Sequence, residues 1–332
     1  MSNPIGIGFL TQVTPERMRY MAQMGAEHVV TSLPSNPSRN RRGAVWTYEG
    51  IQAQREEVEN YGLKLSVYEG IPIPDRVKLG LDGRDQDIED YCEGIRNMGE
   101  AGIPILCYNW MAGFGWLRTE FATPGRGGAV VTTYVHEDYE KAGLTEYGVV
   151  PEQTLWDSLE YFLKAVVPVA EEAKVKLAMH PDDPPRSPIR SMGRIMTNPE
   201  NFQRMLDLVP SPNNGLTFCQ GCFTEMNIDV PKWIRHFGKQ GKIHFAHFRN
   251  INRGGTADNF SEVFHDEEGE ADMYETMKAY IEFGFEGPMR PDHAPTMEGE
   301  NNDHPGYALQ GRLMAVGYMK GLMEAIVKSS KA

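Results

Sequence analysis

Eight short apolar runs alternate with helical stretches along the chain, and that alternation leaves few folds open. The runs read IGIGFL, EHVVTSL, LKLSVYEGI, IPILCYNW, VKLAMH, GLTFC, KIHFAHF and FEGPMRPDH, with about eight helical segments among them. Repeated βα units set their strands parallel, and eight of them predict an α/β fold of the (β/α)8 barrel type. In such a barrel every strand opens its C-terminal end on one face, so residues distant in sequence converge there. A 332-residue chain covers the roughly 250 residues of a barrel plus insertions, and one domain spanning residues 1–332 is expected. Local signals agree. TPERMRYMAQMG has Thr14 as an N-cap, Pro15 at the first helical position and Gly25 as the stop. The largest irregular stretch, about 111–153 after the fourth strand, has little helical periodicity and is expected to be a lid-like insertion or an oligomer contact. Within it, Gly125–Gly128 lacks the strand-then-helix context of a phosphate loop and reads as a flexible lid tip.

Charge narrows the partners. With 33 Lys+Arg against 46 Asp+Glu, a formal −13, there is no basic tract to follow phosphates, which argues against nucleic acid. An acidic surface does not steer anions either, so an acidic substrate must be held by local cations. No run approaches the roughly 18 apolar residues of a membrane helix, and the N-terminus lacks a basic-then-apolar leader. Cysteines 92, 107, 219 and 222 form no disulfide framework. A soluble, cytoplasmic protein is expected, acting on a small molecule, without membrane partners, as a homo-oligomer (dimer or tetramer).

Four consecutive strand-like runs end near residues of metal-ligand type: His180, Cys219, His247 and Asp292. Two imidazoles, a thiolate and a carboxylate suit Mn²⁺, Fe²⁺, Co²⁺ or Zn²⁺ better than Mg²⁺ or Ca²⁺. Each has a plainer reading. MHPDDPP could be a turn cluster, although Asp182 and Asp183 could also orient His180. Cys219 could be a buried free thiol, with Cys222 a bystander in either case. His244 and His247 are three apart and point to opposite sides of a strand; His247 is nearer the C-terminal end, so His244 is expected to be packed. Arg249 could serve an anionic substrate or a structural salt bridge. His293, beside Asp292, can transfer protons next to a metal. Tyr307 at a helix start reads as packing from the residues alone.

Taken together, MHPDDPP, GLTFC, HFRN, RPDH and GYALQGRLMAVGYMKGL resemble the D-mannonate dehydratase family of metal-dependent sugar-acid lyases. VVTSLP, IPIPDRVKLG, RDQDIEDYCEGIRNMGEAGIPILCYNWM and WLRTE extend the likeness over nearly the whole chain. The resemblance implies a xylose-isomerase-like TIM barrel, usually Mn²⁺-bound, that converts D-mannonate to 2-keto-3-deoxy-D-gluconate. It implies metal ligands at His180, Cys219, His247 and Asp292 and a catalytic pair at His293 and Tyr307. The chain departs from the family at its first strand, at Gly70 where Ser is usual, at Arg186 where Trp is usual, and at Ala294-Pro295 where Gly-Arg is usual. A sugar isomerase or epimerase on the same barrel is the second expectation. A sugar-acid binding protein is the third.

Overall fold

The computed structural model describes residues 4–32, 46–256, 258–267 and 269–330. Leu33 and Pro34, which close the VVTSLP stretch, lie outside the described residues. Twelve strands run in chain order among the described residues: β1 Gly8–Leu10, β2 His28–Thr31, β3 Lys64–Glu69, β4 Ile105–Asn109, β5 Glu120–Pro124, β6 Val130–Tyr134, β7 Lys176–His180, β8 Asn214–Cys219, β9 Ile243–Phe248, β10 Ile251–Asn252, β11 Phe260–Glu262 and β12 Met289–Pro291. Eight of them form one parallel sheet in the order β1-β2-β3-β4-β7-β8-β9-β12. A parallel bridge between Ile7 and Met289 closes it on itself. Each of the eight apolar runs supplies one of these strands.

Why these residues make this barrel is visible in two layers. Inside, Val30, Val67, Ile105, Cys107, Ala178 and Phe245 fill the space between strands. Outside, the opposite strand faces meet the apolar sides of the helices in the main core. Strands β8 and β9 are buried at every position, as expected for parallel strands covered on both faces. The first helix, Pro15–Met24, starts on the Thr14 cap with Pro15 at its head and stops at Gly25 in the left-handed region. Among the described residues no helix is long and apolar enough to cross a membrane.

The stretch after β4 holds more order than its sequence suggests. Strands β5 and β6 form a hairpin, with Gly125–Gly128 at its turn. The β6 edge pairs with β11, which pairs with β10, giving a four-stranded antiparallel sheet. This auxiliary sheet joins the insertion after β4 to a second excursion after β9, and it stands over the C-terminal mouth of the barrel.

Candidate metal centre and acid–base pair

Strand geometry brings His180, Cys219, His247 and Asp292 to one place. His180 and Cys219 are the last residues of β7 and β8, His247 is next to last in β9, and Asp292 directly follows β12. His180 Nδ1 donates to the Pro181 carbonyl at 2.8 Å, which leaves the Nε2 lone pair facing inward, 3.2 Å from His247 Nδ1. Asp292 Oδ2 lies 3.5 Å from that His247 nitrogen and 3.6 Å from Cys219 Sγ. Donor atoms sharing one ion at bonds of about 2.0–2.3 Å stand about 3–4 Å apart, and these separations fit.

Charge gives a second test of fit. Arg118, Arg249 and Arg290 are buried with Glu69, Asp183, Glu225, Glu262 and Asp292. Burial, with Asp183 nearby, holds the Glu225 carboxyl well above its usual range. Burial also opposes a thiolate at Cys219, but the Cys222 thiol, Arg249 and His180 outweigh it and hold its pKa well below that of a free thiol. Five acidic side chains and the Cys219 sulfur thus surround three guanidiniums, a surplus of acidic groups that suits a bound cation. Without an ion, a proton does part of that work. Burial and Arg290 disfavour it, yet Glu69 and Asp292 raise the His247 pKa to about 10. His247 Nε2 is buried without a well-aligned hydrogen bond, and Glu69 Oε1 is 3.4 Å away.

The remaining residues sort themselves by contact. Cys222 donates to Cys219 at 3.3 Å and touches Arg249, and burial pushes its own thiol up. His244 is packed in the barrel wall, donating Nδ1–H to the Leu177 carbonyl at 2.9 Å. Arg249 is fully buried between Asp183, Glu225, Glu262 and Asp292, so of its two readings the salt bridge holds. Asp183 pairs with Arg118 and Arg249, whereas Asp182 binds Arg194 and the Met196 amide away from the cluster.

Beside the cluster, His293 Nε2 lies 2.9 Å from the Tyr307 hydroxyl, and His293 Nδ1 lies 2.9 Å from Glu262. Burial holds the Tyr307 phenol well above its ordinary pKa. The ring of Trp116 sits 5.3 Å from that of His293. A cavity of about 130 Å³ is lined by His180, Asp292, His293, Tyr307, Arg290 and Trp116, among others. Gly70 lines it too, at φ +100°, with open space where a side chain would stand. Arg186 instead reaches Asp258 on the auxiliary excursion.

Glu69, Arg118 and Glu262 are among the residues of this site that went unread in the sequence. Glu69 ends β3 and carries the same signal as the others, a polar residue at a strand's C-terminal end. Arg118 and Glu262 belong to the auxiliary-sheet segments and gave no such signal.

The D-mannonate dehydratase (UxuA) family model matches residues 9–146 and 138–332. The chain belongs to the D-mannonate dehydratase family. The mannonate dehydratase of Thermotoga petrophila is 41% identical, with 96% of this chain and 95% of that protein covered. Mannonate dehydratase 2 of Halalkalibacterium halodurans is 40% identical over 86% of this chain and 89% of its own length. The crystal structure of mannonate dehydratase from Streptococcus suis superposes with a TM-score of 0.88 at 33% identity, covering 99% of this chain and 94% of that one. A D-tagatose 3-epimerase-like protein, 14% identical with a TM-score of 0.64, shares the barrel alone. Dehydratases of this family are carbon–oxygen lyases, and the isomerase expectation is not favoured.

Proposed function

We propose that this member of the family dehydrates an aldonic acid, D-mannonate first, to 2-keto-3-deoxy-D-gluconate and water. The observation that carries the reading is the His293–Tyr307 pair, 2.9 Å apart, opening on the same cavity as His180 and Asp292 of the four-donor cluster. His180, Cys219, His247 and Asp292 would hold a divalent ion, Mn²⁺ in our reading, whose Lewis acidity would act on the substrate carboxylate and C2 hydroxyl.

The protein's own groups supply the rest. Arg290 lines the cavity, but its guanidinium is engaged by Glu69 at 2.7 Å and Asp292 at 2.7 Å. It shapes the cluster rather than clamping a carboxylate. Tyr307, kept protonated by burial, is the proton donor, which leaves His293 as the acceptor. His293 takes the C2 proton, and the C–H electron pair becomes the C2=C3 bond. The C3–O bond breaks, and the departing oxygen takes the Tyr307 proton and leaves as water. The enol then tautomerises to the 2-keto acid.

A homo-oligomer belongs to this reading, supported by the exposed Leu144 and Val149 on the insertion. So does a reducing compartment such as the cytoplasm, supported by four buried free cysteines. The test is a screen of aldonic acids with added Mn²⁺, read as 2-keto-3-deoxy product. A metal-loaded protein that interconverts sugars but forms no such product sinks the dehydratase reading.

A further inference from the structure

One buried carboxylate beside the acid–base pair, Glu262, comes from outside the barrel strands. We propose that Glu262 is a positioning residue: from the auxiliary sheet it holds the Nδ1 hydrogen of His293, leaving Nε2 open to accept a proton. The inference rests on the dehydratase reading above, because it gives that reading's proton acceptor its orientation and tautomer.

Glu262 closes β11 and is 2% exposed. Burial favours its neutral form, but Arg249, His293 and Arg118 overcome that and hold its pKa at about 2. An ionised carboxylate only accepts, so the hydrogen in its 2.9 Å contact with Nδ1 belongs to the ring. Arg118 Nη2 stands 3.4 Å from the same nitrogen and would call for the opposite tautomer. That contact is the longer one, and Nη2 is already committed to Glu262 at 2.7 Å and Asp183 at 3.2 Å. With Nδ1 carrying the hydrogen, Nε2 accepts from the Tyr307 hydroxyl at 2.9 Å. The pair is thereby ordered as Glu262, His293, Tyr307.

A purely structural role, as counter-charge to the arginines, explains less. Without Glu262, Arg118 keeps Asp183, and Arg249 keeps Asp183, Glu225 and Asp292. His293 has no such reserve at Nδ1. Its other carboxylate neighbour, Asp292, is 3.9 Å from Nε2 on the opposite side of the ring. Glu262 also reaches the site only because β11 is paired to β6, Phe260 with Tyr134 and Ser261 with Thr133. The auxiliary sheet is therefore a support for the histidine as well as a cover for the mouth.

The experiment compares Glu262→Gln and His293→Ala, singly and together, in the Mn²⁺-loaded protein with D-mannonate. We expect Glu262→Gln to lower kcat by roughly 10²-fold, with KM and metal content unchanged. Added to His293→Ala, it should cost nothing further, because it acts through that ring. An equal loss of kcat in both backgrounds, a rise in KM alone, or loss of the ion would overturn the proposal. Should Glu262→Gln not fold, Glu262→Asp decides by the same pattern, since it keeps the charge and withdraws the acceptor by one methylene. A second readout does not need turnover. In ¹⁵N-histidine-labelled, zinc-loaded wild type, the His293 ring (assigned by its loss in His293→Ala) should show the Nδ1–H tautomer. An Nε2–H tautomer would overturn the proposal. A wild type inactive on every aldonic acid would sink the functional reading and leave this measurement standing.

Discussion

Cys219 and Cys222 are two sulfurs 3.3 Å apart to which the proposed metal site gives different roles, and the difference is testable. Cys219→Ser replaces a soft thiolate with a hydroxyl, so affinity for the divalent ion should fall sharply. Cys222→Ser keeps a donor to Cys219 and should retain the metal; equal loss in both variants would point to a two-cysteine site. His180→Ala and Asp292→Ala should each abolish bound metal, read by elemental analysis, and with it turnover. Tyr307→Phe should keep fold and metal while turnover drops by roughly 10²- to 10⁴-fold. Unimpaired turnover in that variant would remove Tyr307 from the chemistry. Much at this scale was legible. Alternation along β9 separates His247 from His244, and the packed contact of His244 with Leu177 agrees. Tyr307 was legible only through the family likeness, because nothing in its neighbours marks a helix-start tyrosine as reactive. Glu262 was not legible at all. Its partners Arg118 and His293 are 144 and 31 residues away, and no local pattern encodes such a meeting.

Among the elements, the eight barrel strands could be read because each is a short apolar run bounded by turn residues and helical periodicity. The hairpin β5–β6 could not. Its burial is uneven, with β5 exposed at most positions, so the period-two signal of a half-buried strand is weak. Its strands are fixed by pairing, β5 with β6 and β6 with β11, which is supplied from elsewhere in the chain. Helix packing offers a prediction at this scale. Helix Arg84–Glu100 lies against helix Glu152–Ala173, and a Cβ added at Gly99 would collide with the Ala173 carbonyl oxygen. That oxygen is backbone and cannot step aside, so Gly99→Ala should destabilise the fold by about 1–3 kcal/mol. Thermal denaturation should show the loss with metal content intact; an unchanged melting temperature would mean the two helices can separate at little cost.

For the molecule as a whole, the buried titratable groups set how it meets acid. Burial lowers the pKa of His244 and His265 to about 4, against about 6.5 when unfolded. The unfolded chain therefore binds those protons first, and stability is lost as pH falls from about 6.5 towards 4. Glu262, depressed to about 2 from 4.5, extends the loss, since its contribution is present above the unfolded value and disappears as pH falls through the folded one. The Glu225 carboxyl, raised by burial, works in the opposite sense over part of this window, but two histidines outweigh one carboxyl, so the urea midpoint should decline below pH 6.5. A midpoint flat between pH 6.5 and 4 would contradict the buried neutral histidines. The auxiliary sheet carries a different kind of consequence. Its four strands come from two excursions, one after β4 and one after β9, and neither has a complete sheet without the other. They therefore have to be exchanged as one unit. A chimera that imports the first excursion from a relative should leave β11 with a foreign edge, whereas importing both together should transplant the mouth of the barrel intact.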